Sequence, residues 1–138
     1  MADPLSVTAS IIAVLQLSSH VFQYLREVKG GTRARMLLHD ELRNTISILE
    51  MLNYRIDDAE HGEPWTDSLL TLGSQHGPLD QFADTLRLLI KKLEPATKLK
   101  RTTIQLTWPF SEKDVKDLLG SLERQKTMFT LALQDASM

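Results

Sequence analysis

The sequence contains no cysteine among its 138 residues, and this absence excludes several kinds of chemistry. Without thiols there is no disulfide, no thiolate ligand for a metal ion and no cysteine nucleophile. An excess of basic residues is missing as well, because 16 lysines and arginines are set against 18 aspartates and glutamates. Dedicated nucleic-acid binders depend on such an excess, so the composition argues against nucleic acid as a partner.

Catalytic and ligand-binding motifs are also absent. No glycine-rich loop ends in Lys-Ser or Lys-Thr, no serine lies in a Gly-x-Ser-x-Gly turn, and the Glu-x-x-His motif of di-metal bundles does not occur. The four histidines form neither an HExxH motif nor a pair at ligand spacing on one helix face. We therefore predict that the protein is not an enzyme and has no catalytic residue, cofactor or metal ion.

The sequence does contain strong helical periodicity. Apolar side chains recur at spacings of three and four in long segments that glycine and proline separate, and strand alternation is not seen. We predict one all-α domain over residues 1–138, a helical bundle of four long helices and one short helix. The predicted core draws on all four long helices: Val14, Val21, Leu42, Leu49, Leu86, Leu89, Leu118 and Leu122.

Capping and breaking residues predict where each helix begins and ends. The expected boundaries are Pro4 and Gly30-Gly31 for the first helix, residues 32–60 for the second, Pro64 before the short third, Gly77-Pro78 and Pro95 for the fourth, and Ser111 to about residue 134 for the last. Ser111 and Asp114 have the spacing of a capping box, and Phe110 and Val115 the spacing of a hydrophobic staple.

The first helix is unusual because the stretch from Pro4 to Leu25 carries no Asp, Glu, Lys or Arg. Its 22 residues would measure about 33 Å as a helix, the thickness of a bilayer's hydrocarbon core. Its many serines and glutamines argue against a transmembrane helix, and its short apolar part does not fit a secretory signal.

One face of this first helix is predicted to pack against the bundle, because its apolar residues follow a seven-residue repeat: Val7, Ile11, Val14, Leu17, Val21 and Leu25. Ile12 and Leu15 should lie nearer the surface or a groove. Two interpretations stay open at this point. The helix is either always buried in the bundle, or packed in one state and inserted into a membrane in another.

Basic residues concentrate between the fourth and fifth helices, where only Glu94 opposes them: Lys91, Lys92, Lys98, Lys100 and Arg101. They are either a solvated helix end, where lysines suit the helix dipole, or a patch for the headgroups of anionic lipids. Acidic residues cluster on the opposite connection: Asp57, Asp58, Glu60, Glu63 and Asp67. We therefore predict an uneven distribution of charge in spite of the small net charge.

Several short segments occur in an order typical of one family. They are MADPLSV at residues 1–7, ASIIAVLQL at 9–17, GPLDQF at 77–82, LTWPF at 106–110 and LALQ at 131–134. With these segments the chain resembles the N-terminal domain of fungal NLR-like (STAND) proteins, in the group of HeLo-like domains. The resemblance covers essentially the whole chain. It implies a helical bundle related in architecture to the four-helix executioner domain of necroptosis, placed before a NACHT or NB-ARC module and ankyrin, WD or TPR repeats.

The resemblance also implies a function in programmed cell death, including heterokaryon incompatibility and defence. Members of this group are thought to oligomerise when their sensor is triggered and to damage the plasma membrane through the N-terminal helix. The expected partners are a second copy of the chain, anionic membrane lipids and the downstream modules. The expected location is the cytoplasm, with conditional association with the plasma membrane. The implied residues for insertion and oligomerisation are Leu5, Ala9, Ile11, Ile12, Ala13, Val14, Leu15 and Leu17.

This segment departs from one common pattern of helix association in lipid, because it has no glycine. Only Ser6 with Ser10, and Ala9 with Ala13, have the small-xxx-small spacing that allows helices to approach closely. A second function is therefore kept open. In this alternative the domain is a non-enzymatic adaptor or autoinhibitory module that relays receptor oligomerisation without entering a membrane.

Overall fold

A computed structural model describes residues 4–58, 66–98 and 108–136, and this part of the chain forms five α-helices and no strand. The helices are α1 (Pro4–Glu27), α2 (Thr32–Asp58), α3 (Thr66–Leu72), α4 (Pro78–Lys98) and α5 (Glu112–Ala136). Four are long and α3 is short. The predicted all-α architecture is confirmed.

One predicted helix boundary is wrong. We expected Pro95 to end the fourth helix, but α4 continues through Pro95 to Lys98. Proline has no backbone N–H, so it removes one hydrogen bond of the helix. Pro95 lies near the end of α4, so only three helical residues follow the position where this hydrogen bond is lost.

The four long helices form a bundle in which α1 and α5 lie on one diagonal and α2 and α4 on the other. α1 packs against both α2 and α4, and α5 packs against the same two helices. α4 and α5 are antiparallel, because the ring of Phe82 meets that of Phe129 and the Gln125 amide donates a hydrogen bond to the Thr85 hydroxyl. α1 and α2 are antiparallel because a short turn joins them.

The remaining neighbours run parallel. Glu41 of α2 pairs with Lys126 of α5 at 2.7 Å, and further along both helices Tyr54 and Leu133 border one groove. α2 and α5 therefore point the same way, and so do α1 and α4. Among these neighbours, only the two pairs that follow each other along the chain, α1 with α2 and α4 with α5, are antiparallel.

These directions give the bundle two distinct ends. The turn end contains the α1–α2 turn, the end of α4 and the beginning of α5. The α3 end contains the beginnings of α1 and α4 and the ends of α2 and α5. The short helix α3 packs against α1, α4 and α5 there, and Ser68 donates a 2.5 Å hydrogen bond to the Asp135 carboxylate.

The predicted core is confirmed. All eight of its residues are buried in one cluster, together with further buried residues from all five helices. The inner face of α1 differs at one position, because Leu17 is only half-buried whereas Ser18 is buried. The Ser18 hydroxyl donates a 2.8 Å hydrogen bond to the carbonyl of Val14, which satisfies its polar group within the helix and makes this burial tolerable.

A tight contact at the turn end joins two distant parts of the chain. Gly30 and Gly31 have φ angles of +86° and +58°, which end α1 as predicted. The indole of Trp108 lies against Gly31 so closely that a Cβ atom there would collide with the ring. Trp108 also meets Phe110 edge to face, with ring centroids 5.0 Å apart. The α1–α2 turn and the entry to α5 are therefore packed together.

The predicted capping box begins α5. The Asp114 N–H donates to the Ser111 hydroxyl at 3.1 Å, and the Ser111 N–H donates to the Asp114 carboxylate at 3.0 Å. The latter bond, from the Ser111 backbone, holds the pKa of Asp114 below its usual value. Phe110 and Val115 on either side are both buried, so α5 starts at a fixed place in the bundle.

Replacing Leu89 by alanine tests the core. Leu89 is fully buried in α4, so Leu89→Ala should lower the free energy of unfolding by about 2–5 kcal/mol. The neighbouring Leu88 is 47% exposed, and Leu88→Ala should change it by less than about 0.5 kcal/mol. Chemical denaturation of both variants checks this. Equal effects would contradict the orientation of α4.

Replacing Gly31 by alanine tests the contact with Trp108. A positive φ costs a non-glycine residue roughly 1–2 kcal/mol, and the collision with the indole adds to that cost. Gly120→Ala is the control, because Gly120 lies inside α5 and a Cβ there meets only the Arg124 guanidinium, at an ordinary contact distance of 3.5 Å. We expect Gly31→Ala to lower the melting temperature and Gly120→Ala to leave it unchanged or raise it. A neutral Gly31→Ala would refute the close contact.

Candidate membrane and self-association surface

The helix α1 has two faces of different character. Its inner face is buried in the bundle core: Val7, Ile11, Val14, Ser18, Val21 and Leu25. Its outer face is exposed and consists of small, polar or apolar side chains: Ser6, Ala9, Ile12, Ala13, Gln16, Ser19, His20 and Gln23. Up to Leu25 neither face carries an Asp, Glu, Lys or Arg residue.

The residues proposed for membrane insertion are divided between these faces. Ile11 and Val14 are buried in the core, where they cannot meet a membrane while α1 stays packed. The exposed members are Ala9, Ile12 and Ala13, and Ile12 is 44% exposed. The half-buried Leu15 and Leu17 pack against the core, and the side chain of Leu5 lies outside the described residues. The folded domain therefore presents only part of this set.

The outer faces of the other long helices are charged. α2 exposes Arg43, α4 exposes Asp84 and Arg87, and α5 exposes Lys116 and Glu123. Removing such charges from water is expensive, whereas the α1 surface before Arg26 can be covered without burying an Asp, Glu, Lys or Arg side chain. Within the described residues, no helix combines the length and apolar character needed to cross a membrane.

The basic cluster is only partly described. Lys91 and Lys92 are exposed on α4, and Lys98 belongs to its last turn, although its side chain lies outside the described residues. Lys100 and Arg101 also lie outside them. The described lysines, Lys91 and Lys92, lie toward the turn end of α4, whereas α1 begins at the α3 end and measures about 36 Å over its 24 residues. These two lysines and the beginning of α1 thus lie toward opposite ends of the folded bundle.

The distribution of charge follows these two ends. At the turn end, the described basic side chains that are exposed or half-buried outnumber the acidic ones. The basic side chains are Arg26, Lys29, Arg33, Arg35, Lys91, Lys92, Lys113 and Lys116. The acidic side chains are Glu27, Asp40, Glu94, Glu112, Asp114 and Asp117. Among the described residues of the α3 end, acidic side chains exceed basic ones: Arg55 and Arg87 stand among Glu50, Asp57, Asp67, Asp80, Asp84 and Asp135, and Arg87 pairs with Asp84 at 3.2 Å. Of the predicted acidic cluster, Asp57 and Asp67 are exposed, the side chain of Asp58 is not described, and Glu60 and Glu63 lie outside the described residues.

A groove between α1 and α2 at the turn end was not predicted from the sequence. It holds about 340 Å³ and is lined by Leu25, Arg26, Arg35, Met36, His39 and Asp40. Arg26 and Arg35 belong to different helices, and only the tight turn between them brings them to one groove. The sequence gives one indication of this groove, because Met36 is an apolar residue outside the apolar stripe of α2. In the structure the side chain of Met36 is 60% exposed.

Other groups of side chains offer less for chemistry. In the described ranges no group of three or more histidine, aspartate or glutamate residues could hold a metal ion.

No known protein family, curated protein or solved structure matches the sequence significantly. The relationship to the fungal NLR-like domains therefore stays a prediction from the short segments of the sequence.

Reversing the charge of two lysines tests the lipid patch. If Lys91 and Lys92 contact anionic headgroups, the double variant Lys91→Glu/Lys92→Glu should sediment far less with vesicles that contain phosphatidylserine, because each lysine contributes about 1 kcal/mol near such a surface. High salt should have the same effect on the parent domain.

The matched control for this pair is Arg55→Glu/Arg124→Glu, which makes the same change in net charge on exposed side chains away from the turn end. This control should bind vesicles like the parent domain. Equal loss in both double variants would mean that net charge alone governs binding, and unchanged binding in both would leave the lysines as solvated surface.

Proposed function

We propose that this domain is the cell-death effector or signalling domain of a fungal NLR-like receptor, and that it oligomerises and perturbs the plasma membrane through α1. The observation that carries the proposal is the outer face of α1, which has no Asp, Glu, Lys or Arg side chain from Pro4 to Leu25. A surface helix of a globular protein ordinarily places charged residues among the polar ones on its outer face. The other long helices of this bundle do so, whereas the exposed polar residues of α1 before Arg26 include no Asp, Glu, Lys or Arg.

The energetic reason lies in what α1 meets when it leaves the bundle. An Asp, Lys or Arg residue near the centre of a bilayer opposes insertion by roughly 2.5–3.5 kcal/mol, and α1 has none from Pro4 to Leu25. The buried inner face opposes release in water, because exposing each large apolar side chain costs about 1.5–3 kcal/mol. α1 therefore stays packed in the monomer and leaves only where lipid or other copies cover both of its faces.

Self-association supplies part of that cover. Ala9 and Ala13 are exposed one turn apart, so a second helix can approach the backbone of α1 closely at this point. In lipid, where no hydrophobic effect drives helices together, such close packing is a main source of association. The receptor's remaining modules would set when several copies meet.

The alternative function, an adaptor that never enters a membrane, is favoured by a different observation. The inner face of α1 is completely buried between α2 and α4, as in a helix with a purely structural role. In that case the exposed outer face would bind another protein, and oligomerisation would be relayed with the bundle intact.

The substitution Ile12→Glu distinguishes the two functions. Ile12 is 44% exposed, so a charge there should leave the thermal stability of the bundle nearly unchanged while opposing insertion into lipid. Leu131→Glu on α5 is the control, because Leu131 is 50% exposed and receives the same kind of change on another helix. Thermal denaturation, leakage from vesicles containing phosphatidylserine and toxicity in a fungal cell are measured for both variants.

The effector function predicts that Ile12→Glu abolishes leakage and toxicity and that Leu131→Glu retains both. Toxicity that survives Ile12→Glu, or a parent domain that neither kills cells nor causes leakage, would contradict it and favour the adaptor. Should Ile12→Glu unfold the domain, Ile12→Gln provides a milder polar change at the same place.

A further inference from the structure

The groove between α1 and α2 is the most specific feature of the turn end that the proposed function does not use. Leu25 and Met36 supply apolar surface, and Arg26 and Arg35 supply two guanidinium groups beside it. Leu25 is buried and fixed in the core, whereas Met36 is 60% exposed. A cationic groove with an apolar wall is a site for a molecule with an anionic head and an apolar body.

The position of Arg35 is set by the turn. Its guanidinium donates a hydrogen bond to the carbonyl of Val28, just beyond the last residue of α1. A guanidinium has five N–H donors, so this bond orients the side chain and leaves further donors for a ligand. Arg26 lies two residues before Val28 and is exposed. Two guanidinium groups, one of them held in place, are suited to the oxygens of a phosphate.

The other charged and titratable groups of the groove are His39 and Asp40. The His39 Nδ1 atom lies 3.5 Å from the Asp40 carboxylate, and the His39 ring meets Phe22 edge to face at 5.2 Å. Asp40 opposes an anion, but its side chain is 73% exposed and faces solvent. The two arginines outweigh it, and the excess of basic residues at the turn end attracts anions toward the groove.

We propose that this groove binds the phosphate group of an amphipathic molecule, with Arg26 and Arg35 on the phosphate oxygens and Met36 against the first carbons of the apolar part. The chemistry is shared by the headgroup of a membrane phospholipid and by a soluble phosphorylated amphiphile. This binding does not rest on the insertion of α1, because it uses the folded bundle with α1 in place.

The test uses dihexanoyl phosphatidic acid below its micelle concentration, with inorganic phosphate as the ligand that lacks an apolar part. Nuclear magnetic resonance follows the Met36 methyl group and the His39 ring. The lipid should shift both signals in a saturable way, and Arg26→Gln should weaken binding by about tenfold, as for the loss of one charged hydrogen-bond donor. Arg33→Gln removes an equal charge from an exposed position of α2 outside the groove and should bind like the parent.

Equal weakening by Arg26→Gln and Arg33→Gln would overturn the site, since it would mean attraction by overall charge. If inorganic phosphate bound as tightly as the lipid, the ligand would not need an apolar part and the amphiphile assignment would be wrong. If the lipid caused no saturable shift, both the site and its ligand would be refuted. Vesicles with and without about 20 mol% phosphatidic acid distinguish a membrane phospholipid from a soluble amphiphile as the ligand. Binding both to the soluble lipid and to the phosphatidic acid vesicles indicates a membrane headgroup. Binding to the soluble lipid alone indicates a soluble ligand. A parent domain that binds the lipid but causes no leakage would refute the effector function and leave this site standing.

Discussion

The packing of α1 between α2 and α4 is the constraint on which the rest of the structure depends. The bundle has no central helix, so each long helix forms one side of the core, and α1 contributes a face made largely of valines seven residues apart. If α1 left, the buried faces of α2 and α4, against which it packs, would lose part of their cover. Any function that moves α1 must therefore also cover the core that remains. This couples membrane entry to self-association in the proposed function.

At the turn end, the end of α1 and the beginning of α5 fix each other's position. Gly31 receives the indole of Trp108, so the turn that ends α1 and the segment that enters α5 hold each other in place. Arg35 adds a bond to the Val28 carbonyl in the same turn. A ligand on Arg26 and Arg35 would thus bind next to the contact that fixes the end of α1, while the beginning of α1 lies at the acidic opposite end.

Periodicity within each helix predicted the helices and their buried stripes, because the 3.6-residue repeat decides which side chains face a core. The Ser111–Asp114 capping box was predictable for the same reason, since all of its partners lie within four residues. The parallel arrangement of α1 with α4 was not, because it depends on which helix faces meet and not on any one helix. Ser18 was missed because its hydroxyl is satisfied inside α1, which the apolar pattern does not record. The α1–α2 groove was missed because its walls come from two helices.

The central claim is that α1, and not the bundle surface in general, enters lipid. Because the sequence has no cysteine, single cysteines at Ile12 and at the equally exposed Leu131 can each carry an environment-sensitive fluorophore. The domain is bound to anionic vesicles whose acyl chains carry a spin-label quencher near the bilayer centre. The account predicts strong quenching of the fluorophore at position 12 and little at position 131. A vesicle-bound domain with no quenching at position 12, or with equal quenching at both positions, would contradict it.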